Sequence, residues 1–137
     1  MIKEAYVSFE IAKLLKKAGF DVPIRTLYDE HGDFLIYSSN ISNSENFCGL
    51  EYYSAPTHQM TILWLLEEKL IWIEGALHTT VPTFTYYISV LEPEDNNSKF
   101  PYRIKEFRDS DIKEKYMFAS LEDAINSAIL HALQNLI

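Results

Sequence analysis

The chain has 137 residues, 47% apolar and 14% aromatic, with one cysteine and a formal charge of −8 from 12 basic and 20 acidic side chains. That length makes one globular domain over 1–137 the expectation, and it suffices to bury a core without a metal or a disulfide. The composition excludes a disordered chain, a disulfide scaffold and a cysteine-based zinc cluster.

The charge is unevenly spread. Residues 1–25 carry five bases and three acids, 26–98 one base (Lys69) and eleven acids, and 99–137 six of each. An anionic middle repels nucleic acid, whose binding needs Lys and Arg to displace counterions from phosphate. It would attract a basic partner. The plainer reading of the same acids is solubility. No basic start followed by an apolar run opens the chain, and the longest apolar stretch, Met60 to Leu66, is too short to span a bilayer. The chain reads as cytoplasmic, with no membrane partner.

In chain order, a first helix is predicted from about Ser8 to Ala18. Ile11, Leu14, Leu15 and Ala18 form its apolar stripe. Ser8 is the N-cap, Lys16 and Lys17 favour the C-terminal dipole, and Gly19-Phe20 suits a left-handed stop with an apolar fold-back. Ile24–Tyr28 and Phe34–Ser38 read as a hairpin joined by Asp29 to Asp33, with Gly32 free to take a positive φ. Ser38 to Ala55 has no clear period, so it is a functional loop, a mobile one or a misread element. Phe47, Cys48, Leu50, Tyr52 and Tyr53 argue that its second half is anchored as a short strand. A second helix opens at Pro56-Thr57, with Thr57 as N-cap, and ends near Lys69.

Leu70–Leu77 and Thr83–Leu91 are β-rich, the second with clean alternation at Phe84, Tyr86, Ile88 and Val90. His78 to Pro82 links them as a hairpin. An acidic turn over 92–98 leads to a strand at about Tyr102–Phe107, with a short one near Tyr116. The last helix begins after Ser120, with Asp123 in a capping-box position. Its stripe of Leu121, Ala124, Ile125, Ala128, Ile129, Ala132, Leu133 and Leu136 makes it integral to the core, at roughly 2 kcal/mol per buried large aliphatic side chain. The architecture expected is α+β, a mostly antiparallel sheet of about five strands packed against two or three helices.

Several of these segments resemble a family. The opening Ser8-Phe9-Glu10-Ile11-Ala12-Lys13-Leu14-Leu15 with Gly19-Phe20 is similar to short uncharacterised proteins encoded by phages, prophages and mobile elements of gut Bacteroidetes. So are Pro56-Thr57, Trp64-Leu65, Glu68-Lys69, Ile71-Trp72-Ile73, the run Ser120 to Ile125 and the ending Asn135-Leu136-Ile137. That family has no assigned activity. The resemblance implies a phage or mobile-element setting and transfers no functional residue; stretches 39–55 and 92–98 do not match it.

Candidate chemistry is sparse. His31, His58, His78 and His131 have no spacing that makes a familiar metal site. His58, at a helix start, is the one to watch, since the dipole there favours a neutral imidazole. It has no nucleophile or orienting acid beside it in sequence. Cys48 lacks an adjacent base to make a thiolate, so a small loop residue is the better reading. Asp109-Ser110-Asp111 and Glu92 to Asp95 lack the pattern of a calcium loop, and four scattered glycines form no phosphate cradle. The reading is no catalytic residues, no metal and no cofactor. Lys99, Arg103, Lys105 and Arg108 interleave with Phe100, Tyr102 and Phe107, a pattern that can bind single strands. Glu106 and the net charge make nucleic acid an unlikely partner.

The leading reading is a small acidic, non-enzymatic protein-binding module engaging a basic host or phage protein. Its candidate contact residues are Phe47, Glu51, Tyr52, Tyr53 and His58, because aromatic anchors in a polar loop mark recognition surfaces. The plainer reading is that these rings pin the loop to the core. One alternative is a small-ligand protein or enzyme with a site near 45–58. Another is a nucleic-acid accessory protein using the 99–108 strand. Exposed Trp or Tyr rings on an open sheet face would favour a homodimer.

Overall fold

A computed structural model describes residues 4–44, 49–77, 83–94, 101–109 and 118–137. Helix α1 (Phe9–Ala18) leads into β1 (Ile24–Asp29), β2 (Phe34–Ile41) and β3 (Tyr52–Ser54). Then come α2 (His58–Lys69), β4 (Ile71–Leu77), β5 (Phe84–Pro93), β6 (Tyr102–Asp109) and α3 (Leu121–Asn135). The fold is α+β, with every strand pairing antiparallel. The strands divide into two three-stranded sheets, ordered β2-β1-β3 and β4-β5-β6, where the sequence suggested one sheet of about five.

Local chemistry sets the helix ends. Ser8 Oγ accepts the Ile11 N–H at 3.3 Å, Thr57 Oγ1 that of Met60 at 3.2 Å and Ser120 Oγ that of Asp123 at 3.0 Å. Each cap satisfies a donor that the helix itself cannot. Gly19 stops α1 at φ 98°, and the Phe20 N–H returns to the Leu15 carbonyl at 2.9 Å. Phe20 is then buried against Trp64, ring centroids 5.4 Å apart. Leu70 ends α2 at φ 56° without being glycine. Its carbonyl accepts the Leu91 N–H at 2.7 Å, so the turn into β4 is tied to β5.

The main core lies between the three helices and the inner face of the second sheet. Ile11, Leu15, Leu65, Ile71, Ile73, Ile88 and Ile129 are all fully buried there. The α3 stripe is buried from Ala124 to Leu133, whereas Leu121, in the first turn, is exposed. β5 runs on to Pro93, opposite Tyr102, so the acidic turn begins later than the sequence suggested. The link 78–82, most of that turn and the strand expected near Tyr116 lie outside the described residues. Among the described residues no helix is long and apolar enough to cross a membrane.

The first sheet sits on α1 by one face only. Phe9 meets Tyr28 and Tyr53 at centroid distances of 5.5 and 5.6 Å. The Tyr28 hydroxyl donates to the Val7 carbonyl at 2.7 Å. On the far face Leu27, Ile41 and Tyr52, with Tyr37 against them, form a separate small cluster.

One glycine sets how closely α3 approaches the second sheet. A Cβ on Gly75 would stand 2.4 Å from Leu121 Cδ1 and 3.0 Å from Ile125 Cδ1. Leu121 is exposed and can swing away; Ile125 is buried and cannot. Gly75→Val is expected to cost about 1–3 kcal/mol by overpacking, measured by urea unfolding, and a variant as stable as wild type would contradict this packing.

Candidate functional site

The far face of the first sheet holds the most site-like feature. In β1, alternation sends Leu27 and Asp29 to that face and Tyr28 to the other. Leu27 pairs with Leu35 on β2 and with Ser54 on β3, and Asp29 pairs with Tyr52. Leu27, Leu35, Tyr37, Ile41, Leu50 and Tyr52 wall a cavity of about 190 Å³, and Asp29 and Glu51 bring two carboxylates to it. Leu50 and Glu51 are exposed at its mouth.

Polar contacts fasten this site to the rest of the molecule. Asn43 is buried; its Nδ2 donates to the Phe20 carbonyl at 2.7 Å and its Oδ1 accepts the Ser54 N–H at 2.8 Å. The Tyr52 hydroxyl donates to the Ser42 carbonyl at 2.7 Å. Lys16, from the last turn of α1, donates to the Tyr52 carbonyl at 2.8 Å and pairs with Glu51 at 3.4 Å. Its ammonium also stands 5.0 Å from the Tyr52 ring centroid and 5.2 Å from that of Tyr53. In the β1–β2 turn, Asp29 Oδ1 accepts the N–H groups of His31 and Asp33 at 2.9 and 3.0 Å. That turn carries Glu30 and Asp33 close to Asp29.

The candidate contact residues are not brought to one place. Glu51 and Tyr52 belong to the cavity. Tyr53 faces the other way, onto Phe9. Burial first, then the carboxylates of Glu51 and Glu30, push its phenol above the ordinary tyrosine range. Phe47, with Glu45 and Cys48, lies outside the described residues. Leu27, Leu35, Ile41 and Asp29 were missed as site residues. The alternation of β1 was the only signal for the first and last of them.

His58 lies elsewhere, only 8% exposed, at the start of α2. Its backbone N–H donates to the Ala5 carbonyl at 2.8 Å, and its Nε2 has no hydrogen-bond partner. Burial holds the imidazole below its ordinary pKa, while Glu122 and the Asn126 side chain pull weakly the other way. His131 is also held down, by burial and then by the Arg108 guanidinium. Among the described residues no three His, Cys, Asp or Glu side chains converge as metal ligands would.

The anionic middle is partly neutralised in three dimensions. Lys16 pairs with Glu51, and Arg103 pairs with Glu92 across β6 and β5. Arg108 pairs with Glu106 at 2.7 Å. Two of the three described cations of β6 are thus committed to carboxylates, although Tyr102 and Phe107 beside them are exposed. Lys99 and Phe100 lie outside the described residues. Comparison with known protein families, curated proteins and solved structures finds no match.

Two measurements check this geometry. Asn43→Ala leaves two buried backbone groups unpaired and is expected to cost about 2–6 kcal/mol, from about 1–3 for each orphaned group. Asn43→Asp keeps the acceptor for Ser54 but sets a buried carboxylate oxygen against the Phe20 carbonyl, so at neutral pH it should be at least as destabilised as Asn43→Ala; wild-type stability in either variant would contradict the bridge. The folded pKa of His58 lies below its unfolded value. Stability is therefore whole above about pH 6.5 and lost as pH falls from there through the folded pKa, because the unfolded chain takes the proton first. His58→Leu should flatten the loss between pH 7 and 5, with His131 left to supply the remainder. An unchanged slope would remove His58 from this role.

Proposed function

We propose that the protein is a non-enzymatic binding module that takes an apolar side chain, flanked by basic residues, of a partner protein. The observation that carries this reading is the acid-rimmed apolar cavity on the first sheet. At about 190 Å³ it is smaller than the roughly 300–1,000 Å³ of sites that bury a small-molecule ligand. It suits one anchoring side chain better than a cofactor. Asp29, Glu30, Asp33 and Glu51 give that region a negative field, which favours Lys or Arg beside the anchor. The likeness to phage and mobile-element proteins makes a basic host or phage protein the natural partner, met in the cytoplasm.

The test is capture from host-cell lysate on immobilised protein, washed at low and at high salt and read by mass spectrometry. Wild type should retain one basic protein at low salt and release most of it at high salt, because screening weakens charge attraction. Leu50→Asp, at an exposed position in the cavity mouth, should lose it at both salts with the fold unchanged. Capture indifferent to both the salt and Leu50→Asp would defeat the reading.

A further inference from the structure

Among the described residues the edge strands β6 and β2 differ sharply. β6 carries Arg103, Lys105, Glu106, Arg108 and Asp109, and its register with β5 slips between Val90 and Leu91. Charged side chains along an edge are a usual guard against strand pairing. β2 reads Phe34 to Ile41 with no charged residue and no proline over eight residues. Phe34, Leu35 and Ile36 are exposed, Ile36 to 69%. Between Ile36 and Ile41, β2 has four residues where β1 has only Arg25, so its ladder with β1 is interrupted. Ser38, Ser39 and Asn40 in that stretch are exposed. An edge of this kind is a ready template for another strand.

We propose that β2 pairs antiparallel with β2 of a second copy, joining two three-stranded sheets into one of six strands. The apolar run Phe34 to Tyr37 complements itself and so favours a second copy, and charge selects the direction. A chain of net charge −8 repels its own copy in most orientations, but β2 brings no charge to the contact. A parallel pairing would set the two acidic hairpins, Asp29, Glu30 and Asp33, side by side. The antiparallel pairing sends them to opposite ends. A two-fold axis through Ile36 sets Ile36 opposite its own copy, Leu35 opposite Tyr37 and Phe34 opposite Ser38. Asp33 then faces Ser39 and not another acid. Facing residues share a sheet face in this register, so the apolar side chains meet one another. The two cavities open on the same face of the joined sheet and could engage a bivalent partner. That consequence, unlike the dimer, rests on the cavity reading.

Sedimentation equilibrium of the full chain tests the dimer independently of any partner. Wild type should be dimeric. Ile36→Lys should be monomeric with an unchanged circular dichroism spectrum and a Tm that no longer rises with protein concentration, since the side chain is exposed and two ammonium groups would face each other across the axis. In a Cys48→Ser background, Ile36→Cys should form a disulfide-linked dimer on mild oxidation, and Ser39→Cys should not. A wild type that is monomeric at every concentration overturns the proposal. So does a dimer that survives Ile36→Lys, fails to cross-link at position 36, or dissociates on Phe107→Lys instead.

Discussion

The buried amide of Asn43 decides whether the first sheet belongs to the molecule. It is the polar link between the end of α1 and β3, donating to Phe20 and accepting from Ser54. Phe20 is itself a core residue packed on Trp64. One side chain therefore connects the carbonyl of a core position to the backbone of a three-residue strand. A strand that short pairs over too few residues to be stable alone. Lys16 adds a second tie about one turn earlier, reaching from α1 to the Tyr52 carbonyl. Without these contacts the cavity would have no fixed wall, because Tyr52 is placed by the same strand.

The electrostatics follow from this arrangement and not from segment totals. Along the sequence the middle of the chain looks almost purely anionic. In space, the basic first helix and the basic sixth strand fold against it. Lys16 finds Glu51 and Arg103 finds Glu92. These pairs are largely exposed and contribute little to stability. Their effect is to shrink the anionic surface to patches. One surrounds the β1–β2 turn, where Asp29 is spent on backbone N–H groups as well as on charge.

Much of the fold was legible because its signals are local. The α1 stripe, the Ser8, Thr57 and Ser120 caps, the Gly19 stop and the alternation of β5 each declare themselves within a few residues. The division into two sheets was not legible, since nothing in a strand's own pattern names its neighbours. The site was half legible. Tyr52 and Glu51 stood out by residue type, and Tyr53 stood out equally, yet period-two alternation sends it to the helix side. Leu27 and Leu35 read as ordinary strand residues and Ile41 falls in the stretch without a period, and only pairing reveals that they share a face. Asn43 gave no signal, because its partners are 23 and 11 positions away.

The far face of the first sheet, where the proposed partner would dock, is only partly open: Leu27, Ile41 and Tyr52 are buried there, and Leu35 and Leu50 are exposed. An antiparallel sheet can leave one face to water, and such a face ordinarily carries polar side chains. Here it carries Leu27, Leu35, Tyr37 and Ile41, with Leu50 beside them. The three helices of the described residues bury their apolar faces in the main core. Buried Leu27 and Ile41 hold the three strands together, so serine or threonine there would cost stability. Leu35 and Leu50, exposed beside them, are the apolar side chains that this face leaves to water.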